Sequence, residues 1–205
     1  MSLYPTEFCQ IRPGLFHWQA YDPTIKADLS SSAIATPAGF WVVDPIPLES
    51  DQLKALRQGR SVAGIIVTNS NHKRAAFEFS DRFSVPIYGR AESLAGITAV
   101  PVSEVAGGAK IGGELEVIEI EGAAAGEIAL YYPANGGTLI LGDALINFEP
   151  HGFALLPRRY CLNEKQMRRS FRKLLDKKME RMLFAHGAPI VSGASERLAR
   201  LLNSK

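Results

Sequence analysis

Residues 62–74 read VAGIIVTNSNHKR. The apolar run 62–67 predicts a buried β-strand. The amphipathic segment 75–83, which follows the polar residues 68–74, predicts a helix. Turns from a strand into a helix, at the carboxyl end of the strand, are places where α/β proteins commonly carry their functional groups. The polar cluster Thr68–Arg74 is therefore the first candidate for a functional site.

The segments on either side of this turn continue the alternation of strand and helix. Upstream, Leu29–Ile34 and Gly39–Val43 have the pattern of two strands joined by a turn, and Glu49–Gln58 has the periodicity of a short helix. Downstream, Val85–Tyr88 predicts a further strand. The order of these elements indicates a βαβ layer in the first half of the chain.

The second half of the chain is also rich in strands and also closed by helices. Its predicted strands are Leu115–Ile120, Ile128–Tyr132 and Thr138–Leu141. A capping box formed by Asn163 and Gln166 predicts the start of one helix, and Ala194–Leu202 has the pattern of a final helix. Together the two halves predict a single α+β domain over residues 1–205, a four-layer αββα sandwich of two mixed sheets.

The composition is that of an ordinary globular protein. Hydrophobic residues make up 46% of the chain and charged residues 21%, and no run of apolar residues is long enough to cross a membrane. The first residues lack the pattern of a signal peptide. Cys9 and Cys161 do not have the number or spacing of a disulfide framework and are expected to be reduced thiols. These features predict a cytoplasmic protein without a membrane partner.

Two segments of the second half raise the question of macromolecular partners. The segment Arg158–Arg181 is strongly basic, and its part 163–181 is predicted to be a helix. Its inner face would carry Met167, Phe171, Leu174, Leu175 and Met182. Aromatic residues do not alternate with the cations, so a solvated face is the preferred interpretation and nucleic acid is not an expected partner. The apolar segment Phe148–Leu156 is a candidate contact in a homodimer.

The order of motifs along the chain, from Leu15 to Leu202, resembles the metallo-β-lactamase superfamily of hydrolases. The early strand of that family, which ends in aspartate, resembles Trp41-Val42-Val43-Asp44-Pro45. The family motif T-H-x-H-x-D-H is matched by Thr68–Arg74, and the turn P-G-H-T-x-G-S is matched by Glu121–Glu127. The two later motifs are matched by Leu141-Gly142-Asp143-Ala144 and Ala185-His186-Gly187.

In active members of this family the motifs supply a site for one or two metal ions, usually zinc, which activates water. Here most of the matching ligand positions have other residues, namely Asn69, Asn71, Lys73, Arg74 and Ala123. The family residues are kept at Asp143 and His186. Neutral amides are poor zinc ligands, and an arginine keeps its positive charge beside a metal ion. The resemblance therefore implies the family fold with the ordinary two-metal site lost.

The preferred functional interpretation is a pseudoenzyme or a binding protein without metal or other cofactor. Its pocket would be formed by Asn69, Asn71, Lys73 and Arg74 and would suit a small anion, such as a carboxylate or a phosphate. In this interpretation Arg74 pairs with Asp143 and fills the place of the missing metal. His72 stands at a position that the family leaves variable, and it is expected at the pocket rim or in solvent.

The alternative interpretation is a hydrolase that acts on an ester, a thioester or a phosphate. Its catalytic residues would be His72, Asp143 and His186. They would act without metal or as the ligands of one zinc, iron or manganese ion, since three protein ligands are the minimum for such a site. The sequence leaves both interpretations open.

Overall fold

The larger of two central β-sheets contains the first seven strands. The computed structural model describes residues 4–57, 59–149 and 151–204. The strands of this sheet are β1 Glu7–Arg12, β2 Leu15–Asp22, β3 Ala27–Thr36, β4 Gly39–Val43, β5 Val62–Ile66, β6 Ile87–Gly89 and β7 Val102–Glu104. They lie in sequence order, antiparallel from β1 to β4 and parallel from β4 to β7. The sheet is therefore mixed, with the βαβ layer in its second part.

The second sheet has five strands in the order β14-β11-β10-β9-β8. These strands are β8 Lys110–Ile111, β9 Leu115–Glu119, β10 Ile128–Tyr132, β11 Thr138–Leu141 and β14 Arg181–Phe184. The pair β11 and β14 is parallel, whereas the other pairs are antiparallel. A separate hairpin of β12 Leu145–Phe148 and β13 Gly152–Leu155 leaves β11 and belongs to neither sheet.

Five helices cover the outer faces of the two sheets in the described part of the chain. They are α1 Ser50–Arg57, α2 Ala76–Phe83, α3 Ala91–Leu94, α4 Glu164–Arg172 and α5 Ala194–Asn203. One apolar cluster joins α1, α2 and α3 to the first sheet, a second joins α4 and α5 to the second sheet, and a third lies between the sheets. The predicted αββα sandwich is confirmed.

The strand β4 shows how alternation produces these layers. Phe40 and Val42 belong to the cluster beneath the helices, whereas Trp41 and Val43 belong to the cluster between the sheets. Because successive side chains of a strand point to opposite faces, a continuous apolar strand is required where both faces are covered. The indole Nε1 of Trp41 donates to Thr36 Oγ1 at 3.1 Å, so the polar atom of this buried ring has a partner.

The predicted elements differ from the observed ones mainly after residue 163. The capping interaction is confirmed, because Gln166 N donates to Asn163 Oδ1 at 3.1 Å. The helix ends at Arg172, however, so the prediction of one helix over 163–181 is wrong. Turns follow it, Leu175 is exposed, and Met182 lies in β14 because that segment pairs with β11. The predicted end of α1 at Gln58 lies outside the described residues.

No helix in the described part of the chain has the length and apolar character needed to cross a membrane.

Candidate metal centre

The carboxyl ends of four strands from both sheets meet at one place. Asp44 follows β4, the turn Thr68–Arg74 follows β5, Asp143 follows β11 and His186 follows β14. Within each sheet the two strands concerned are parallel, β4 with β5 and β11 with β14, so their ends lie side by side. The packing of the two sheets then brings all four groups together at the edge of the sandwich.

Three potential metal ligands converge in this region, and they are His72, Asp143 and His186. Their nitrogen and oxygen ligand atoms all lie within 4.8 Å of one another. The Nε2 atom of His72 is 3.0 Å from Asp143 Oδ1, and Nε2 of His186 is 3.1 Å from the same oxygen. His72 is 2% exposed, so the expectation of a rim or solvent position is wrong.

The ring of His72 is fixed from behind by Asp44. Nδ1 of His72 lies 2.9 Å from Asp44 Oδ2. Thr68 holds that carboxylate through its backbone N–H to Oδ1 at 2.8 Å and its hydroxyl to Oδ2 at 2.5 Å. Asp44 thus accepts from a backbone amide and also contacts the ring of His72. These contacts fix the ring so that Nε2 faces Asp143 and the cleft.

The ring of His186 is fixed in the same way by a backbone carbonyl. Its Nδ1 lies 2.8 Å from Asp28 O, and since a carbonyl oxygen only accepts, Nδ1 is the donor. In the neutral ring Nε2 is then an unprotonated acceptor that faces a carboxylate oxygen. Such a contact is favourable when the ring is doubly protonated or when a cation lies between the two atoms.

The pKa values of this cluster reflect the closeness of opposite charges. Burial opposes the charged form of His72, but the carboxylates of Asp44 and Asp143 outweigh burial and the nearby Arg74, and they raise the pKa of His72 to about 9. Burial also opposes the charged form of Asp143. The two histidines outweigh it and hold the pKa of the Asp143 carboxyl well below its usual range. The cluster is thus a carboxylate with two imidazoles turned toward it.

An amide and a buried carboxyl group occupy the side of the site where Asn69 replaces a family histidine. Asn69 Nδ2 donates to Glu127 Oε2 at 2.7 Å and to Asp143 Oδ2 at 3.1 Å. Ala144 N donates to Glu127 Oε1 at 3.0 Å. Burial and the Asp143 carboxylate raise the pKa of Glu127 to about 8. Asn69 offers a neutral amide, and Ala123, at another of the family's ligand positions, has no ligand atom. The residues present therefore do not fit a two-ion site.

The two cations of the turn have backbone carbonyls as partners. Arg74 donates to Ser30 O at 2.6 Å, Asp44 O at 3.1 Å and Ala185 O at 3.1 Å. Lys73 Nζ donates to Ala95 O. Within the part of the chain that the structure describes, the ion-pair partners of Asp143 are the two histidines and not Arg74. The expected Arg74–Asp143 pair is therefore wrong, because the guanidinium group is directed at the carbonyls.

The cluster lies at the bottom of an open cleft of about 1060 Å³. His72, Asp143 and His186 line it, as do Asn71 and Arg74 of the predicted anion-binding group. The other two residues of that group, Asn69 and Lys73, do not belong to the lining residues. The hairpin β12–β13 and the connection between β2 and β3 supply its sides.

Sequence analysis did not identify three residues that support the cluster. Glu127 lies in the turn that resembles a family motif, but its burial carries no local signal. Asp28 contributes a backbone atom, which side-chain patterns cannot reveal. Gly187 belongs to a recognised motif, but the need for a glycine there was not predicted. Its φ is +94°, and a Cβ atom at this position would lie 2.0 Å from Asn147 O.

Comparison with known proteins identifies the family. A family model described as the metallo-beta-lactamase superfamily matches residues 9–205. The chain therefore belongs to the metallo-β-lactamase superfamily, as its motifs indicated. Among curated proteins, no sequence matches the chain.

Solved structures of this superfamily share the fold at low sequence identity. The metallo-beta-lactamase IND-7 is 21% identical, with 97% of this chain and 99% of that chain covered and a TM-score of 0.69. A metallo-beta-lactamase from Pontibacter korlensis is 16% identical, with 97% and 99% covered and a TM-score of 0.72. A metallo-beta-lactamase family protein from Thermus thermophilus is 18% identical, with 94% and 79% covered and a TM-score of 0.65.

Proposed function

We propose that this protein is a hydrolase that uses a single divalent metal ion, held by His72, Asp143 and His186. Two imidazoles and one carboxylate are a ligand set that zinc, iron and manganese accept. The three side chains come from both halves of the sandwich, and their ligand atoms lie within 4.8 Å of one another. Since the residues for a second ion do not fit, the proposal is limited to one.

The observation that carries this proposal is the anchoring of both rings through Nδ1. His72 is held by the Asp44 carboxylate at 2.9 Å and His186 by the Asp28 carbonyl at 2.8 Å. Histidines that bind a metal almost always donate their other ring N–H to a carboxylate or a backbone carbonyl, which fixes the ring and its tautomer. Here both rings have this second contact, and both present Nε2 to the same carboxylate oxygen.

The chemistry assigned to the site is hydrolysis. When bound, a divalent ion of this kind acts as a Lewis acid and lowers the pKa of water. The role of His72, Asp143 and His186 is to hold it in a fixed position at the bottom of the cleft. Asn71 lines the same cleft, and its Nδ2 lies 3.4 Å from Asp143 Oδ2, so it helps to orient that carboxylate.

The sides of the cleft favour a substrate with an apolar body. Aliphatic and aromatic side chains make up a large part of the lining, among them Ile25, Leu29, Ile46, Phe148 and Leu156, beside charged residues such as Lys26, Glu78 and Arg159. The cleft volume of about 1060 Å³ is at the upper end of small-molecule sites, which measure roughly 300–1000 Å³. We therefore propose an ester or a thioester with an apolar acyl or aryl part as the substrate class.

Metal content and metal affinity test the proposal. Protein purified without a histidine tag is expected to bind one equivalent of Zn²⁺, Fe²⁺ or Mn²⁺, measured by elemental analysis and by competition with a chromophoric chelator. His72→Gln and His186→Gln should each abolish stoichiometric binding and the hydrolysis of an apolar aryl ester. His151→Gln is the matched control, because His151 lines the same cleft but is not part of the cluster. Wild-type protein without bound metal after reconstitution would reject the proposal.

The metal-free anion-binding protein remains the second candidate, and one observation favours it. His72 lies between the carboxylates of Asp44 and Asp143, so a protonated ring would complete the charge balance without an ion. Arg74 lines the cleft as the predicted anion-binding cation. If the protein binds no metal, titration with phosphate and with acetate is the next test, and Arg74→Gln should weaken the binding of either anion.

A further inference from the structure

The guanidinium group of Arg74 joins three separate parts of the backbone beneath the cluster. Its Nη1 donates to Ser30 O in β3 at 2.6 Å and to Asp44 O at the end of β4 at 3.1 Å. Its Nη2 donates to Ala185 O at the end of β14 at 3.1 Å. The first two carbonyls belong to the seven-stranded sheet and the third to the five-stranded sheet, so a single side chain connects the two sheets.

Two of these carbonyls, those of Asp44 and Ala185, are next to functional groups of the cluster. Asp44 carries the carboxylate that holds Nδ1 of His72, and Ala185 directly precedes His186. The direct backbone link between the sheets here is Ser30 N to Ala185 O at 2.8 Å. Arg74 adds a second link to the same carbonyl and extends it to Asp44. The relative position of His186 and the Asp44–His72 pair therefore depends on this guanidinium group.

The conformation of Arg74 is costly and needs a compensating interaction. Its φ is +35°, in a region that residues other than glycine rarely adopt. Burial lowers the pKa of its guanidinium group, although the carboxylates of Asp44 and Asp143 oppose this effect. A partly buried charged group is stabilised by hydrogen bonds, and three of the five N–H donors of Arg74 reach backbone carbonyls.

We propose that Arg74 is a positioning residue for the metal site, which fixes the distance between ligands that come from different sheets. The proposal rests on the proposed function, because it concerns the same three ligands. This positioning role differs from the anion-binding role expected for Arg74, because the N–H donors described here bind backbone carbonyls of the protein and not a ligand. At this position the family motif has a histidine ligand, and here the side chain replaces coordination with hydrogen bonds to the backbone.

Arginine is required for this role, and lysine is not an equivalent residue. The planar guanidinium group has five N–H donors in a fixed arrangement, so it reaches carbonyls in different directions at once. A lysine ammonium group is a single nitrogen on a flexible chain. It would keep the charge in Arg74→Lys, but it is not expected to contact Ser30, Asp44 and Ala185 together.

The test uses Arg74→Lys, with Lys73→Gln as the matched control. Lys73 is the neighbouring cation and also donates to a backbone carbonyl, but it does not connect the sheets. Arg74→Lys is expected to weaken Zn²⁺ binding by about 10- to 100-fold, the range for residues that orient metal ligands. The visible absorption of the Co²⁺-substituted protein should change in position and intensity, because it reports the coordination geometry. Lys73→Gln should leave both properties unchanged.

Two measurements separate this proposal from a general loss of stability and from failure of the proposed function. If Arg74→Lys lowers only the melting temperature and keeps wild-type affinity and Co²⁺ absorption, Arg74 does not position the ligands. If wild-type protein binds no metal, the proposed function fails. The positioning role of Arg74 is then tested separately, by the imidazole NMR signals of His72 and His186 in the metal-free protein. Those signals should move in Arg74→Lys and stay in Lys73→Gln; unchanged signals in both variants would overturn the inference.

A further variant covers the case in which Arg74→Lys does not fold. Arg74→Ala leaves space for a free guanidinium ion, which we expect to restore the wild-type histidine signals at millimolar concentration, far below denaturing conditions. Methylammonium at the same concentration should not restore them, because it lacks the planar set of donors. Equal effects of the two ions would contradict the proposal.

Discussion

Nδ1 of His72 lies 2.9 Å from Oδ2 of Asp44, although the two residues come from turns after different strands. The carboxylate cannot turn away, because Thr68 contacts both of its oxygens. The orientation of His72, and with it the use of Nε2 toward Asp143, is thus determined by a residue that does not itself reach the cleft lining.

Asp44→Asn tests this orientation. The amide is the same size as the carboxylate, but its nitrogen can donate to Nδ1 and so favour the wrong tautomer of His72. We expect metal affinity to fall by about 10- to 100-fold, measured by competition with a chelator. Asp22→Asn, elsewhere in the cleft lining, is the control and should have wild-type affinity. Unchanged affinity in Asp44→Asn would show that Asp44 does not orient the ligand.

Gly142→Ala tests how tightly the residue before Asp143 is packed. A Cβ atom at this position would lie 2.6 Å from both Glu127 Oε1 and Thr68 Oγ1. Neither neighbour can move without losing hydrogen bonds to Ala144 and Asp44, respectively. We expect a loss of about 1–3 kcal/mol in the free energy of unfolding, measured with urea. Gly107→Ala is the control, because the atoms nearest its Cβ would be those of the Glu119 side chain, at a wider distance of 3.1 Å.

His17→Leu tests the effect of a buried neutral histidine on acid stability. Burial lowers the pKa of His17 to about 4 from an ordinary value of 6.5, although Gln19 opposes the shift. The unfolded chain therefore takes up a proton more readily. The stability from the neutral ring is complete above pH 6.5 and is lost as the pH falls to about 4, a change on the order of 3 kcal/mol.

The measurement for His17 is the free energy of unfolding between about pH 7.5 and pH 4, which spans both pKa values. Wild-type protein should lose stability over this range more steeply than His17→Leu, because the leucine cannot bind a proton. His151→Leu removes an exposed histidine and should follow the wild-type curve. Parallel curves for wild type and His17→Leu would mean that the buried ring does not contribute.

Phe148→Ala tests the apolar side of the cleft. The Phe148 ring lies 6.3 Å from the His186 ring and lines the cleft, so it is placed to contact the apolar part of a substrate. We expect KM to rise several-fold for an aryl ester with a long acyl chain and to change little for the acetyl ester, because burial of each CH₂ contributes about 0.8 kcal/mol. Phe77→Ala, on the exposed face of α2, should affect neither substrate. An equal rise for both esters would argue against an acyl-binding role.

The fold could be predicted well because its signals are local. The observed bounds of Ile128–Tyr132 and Thr138–Leu141 match the predicted strands, since each is a short apolar run between turn residues. The cap at Asn163 was also predicted from a local pattern and is confirmed. The helix after it was predicted too long, because the pairing of β14 with β11 overrides the helical pattern of that segment.

Only part of the site could be predicted, because its geometry depends on contacts between residues that are distant in the sequence. Asp143 and His186 were recognised from their motifs, and the structure brings both to His72. The burial of His72 depends on Asp44 and Asp143, which no pattern near His72 reveals. The partners of Arg74 are backbone carbonyls, and the sequence does not encode the direction of a carbonyl in any residue type. Pairing by charge alone therefore predicted Asp143 as its partner.

The hairpin β12–β13 is outside both sheets. Near the site, Asn147 in β12 forms backbone hydrogen bonds with His186 and Ala188. Backbone contacts of this kind persist whatever side chains surround them. Ile146 and Phe148 line the cleft and belong to none of the three apolar clusters, so mutations there would change the shape of the cleft while the four layers stay intact. Substitutions at these positions are therefore expected to change which substrates the cleft admits before they change how the sheets pack.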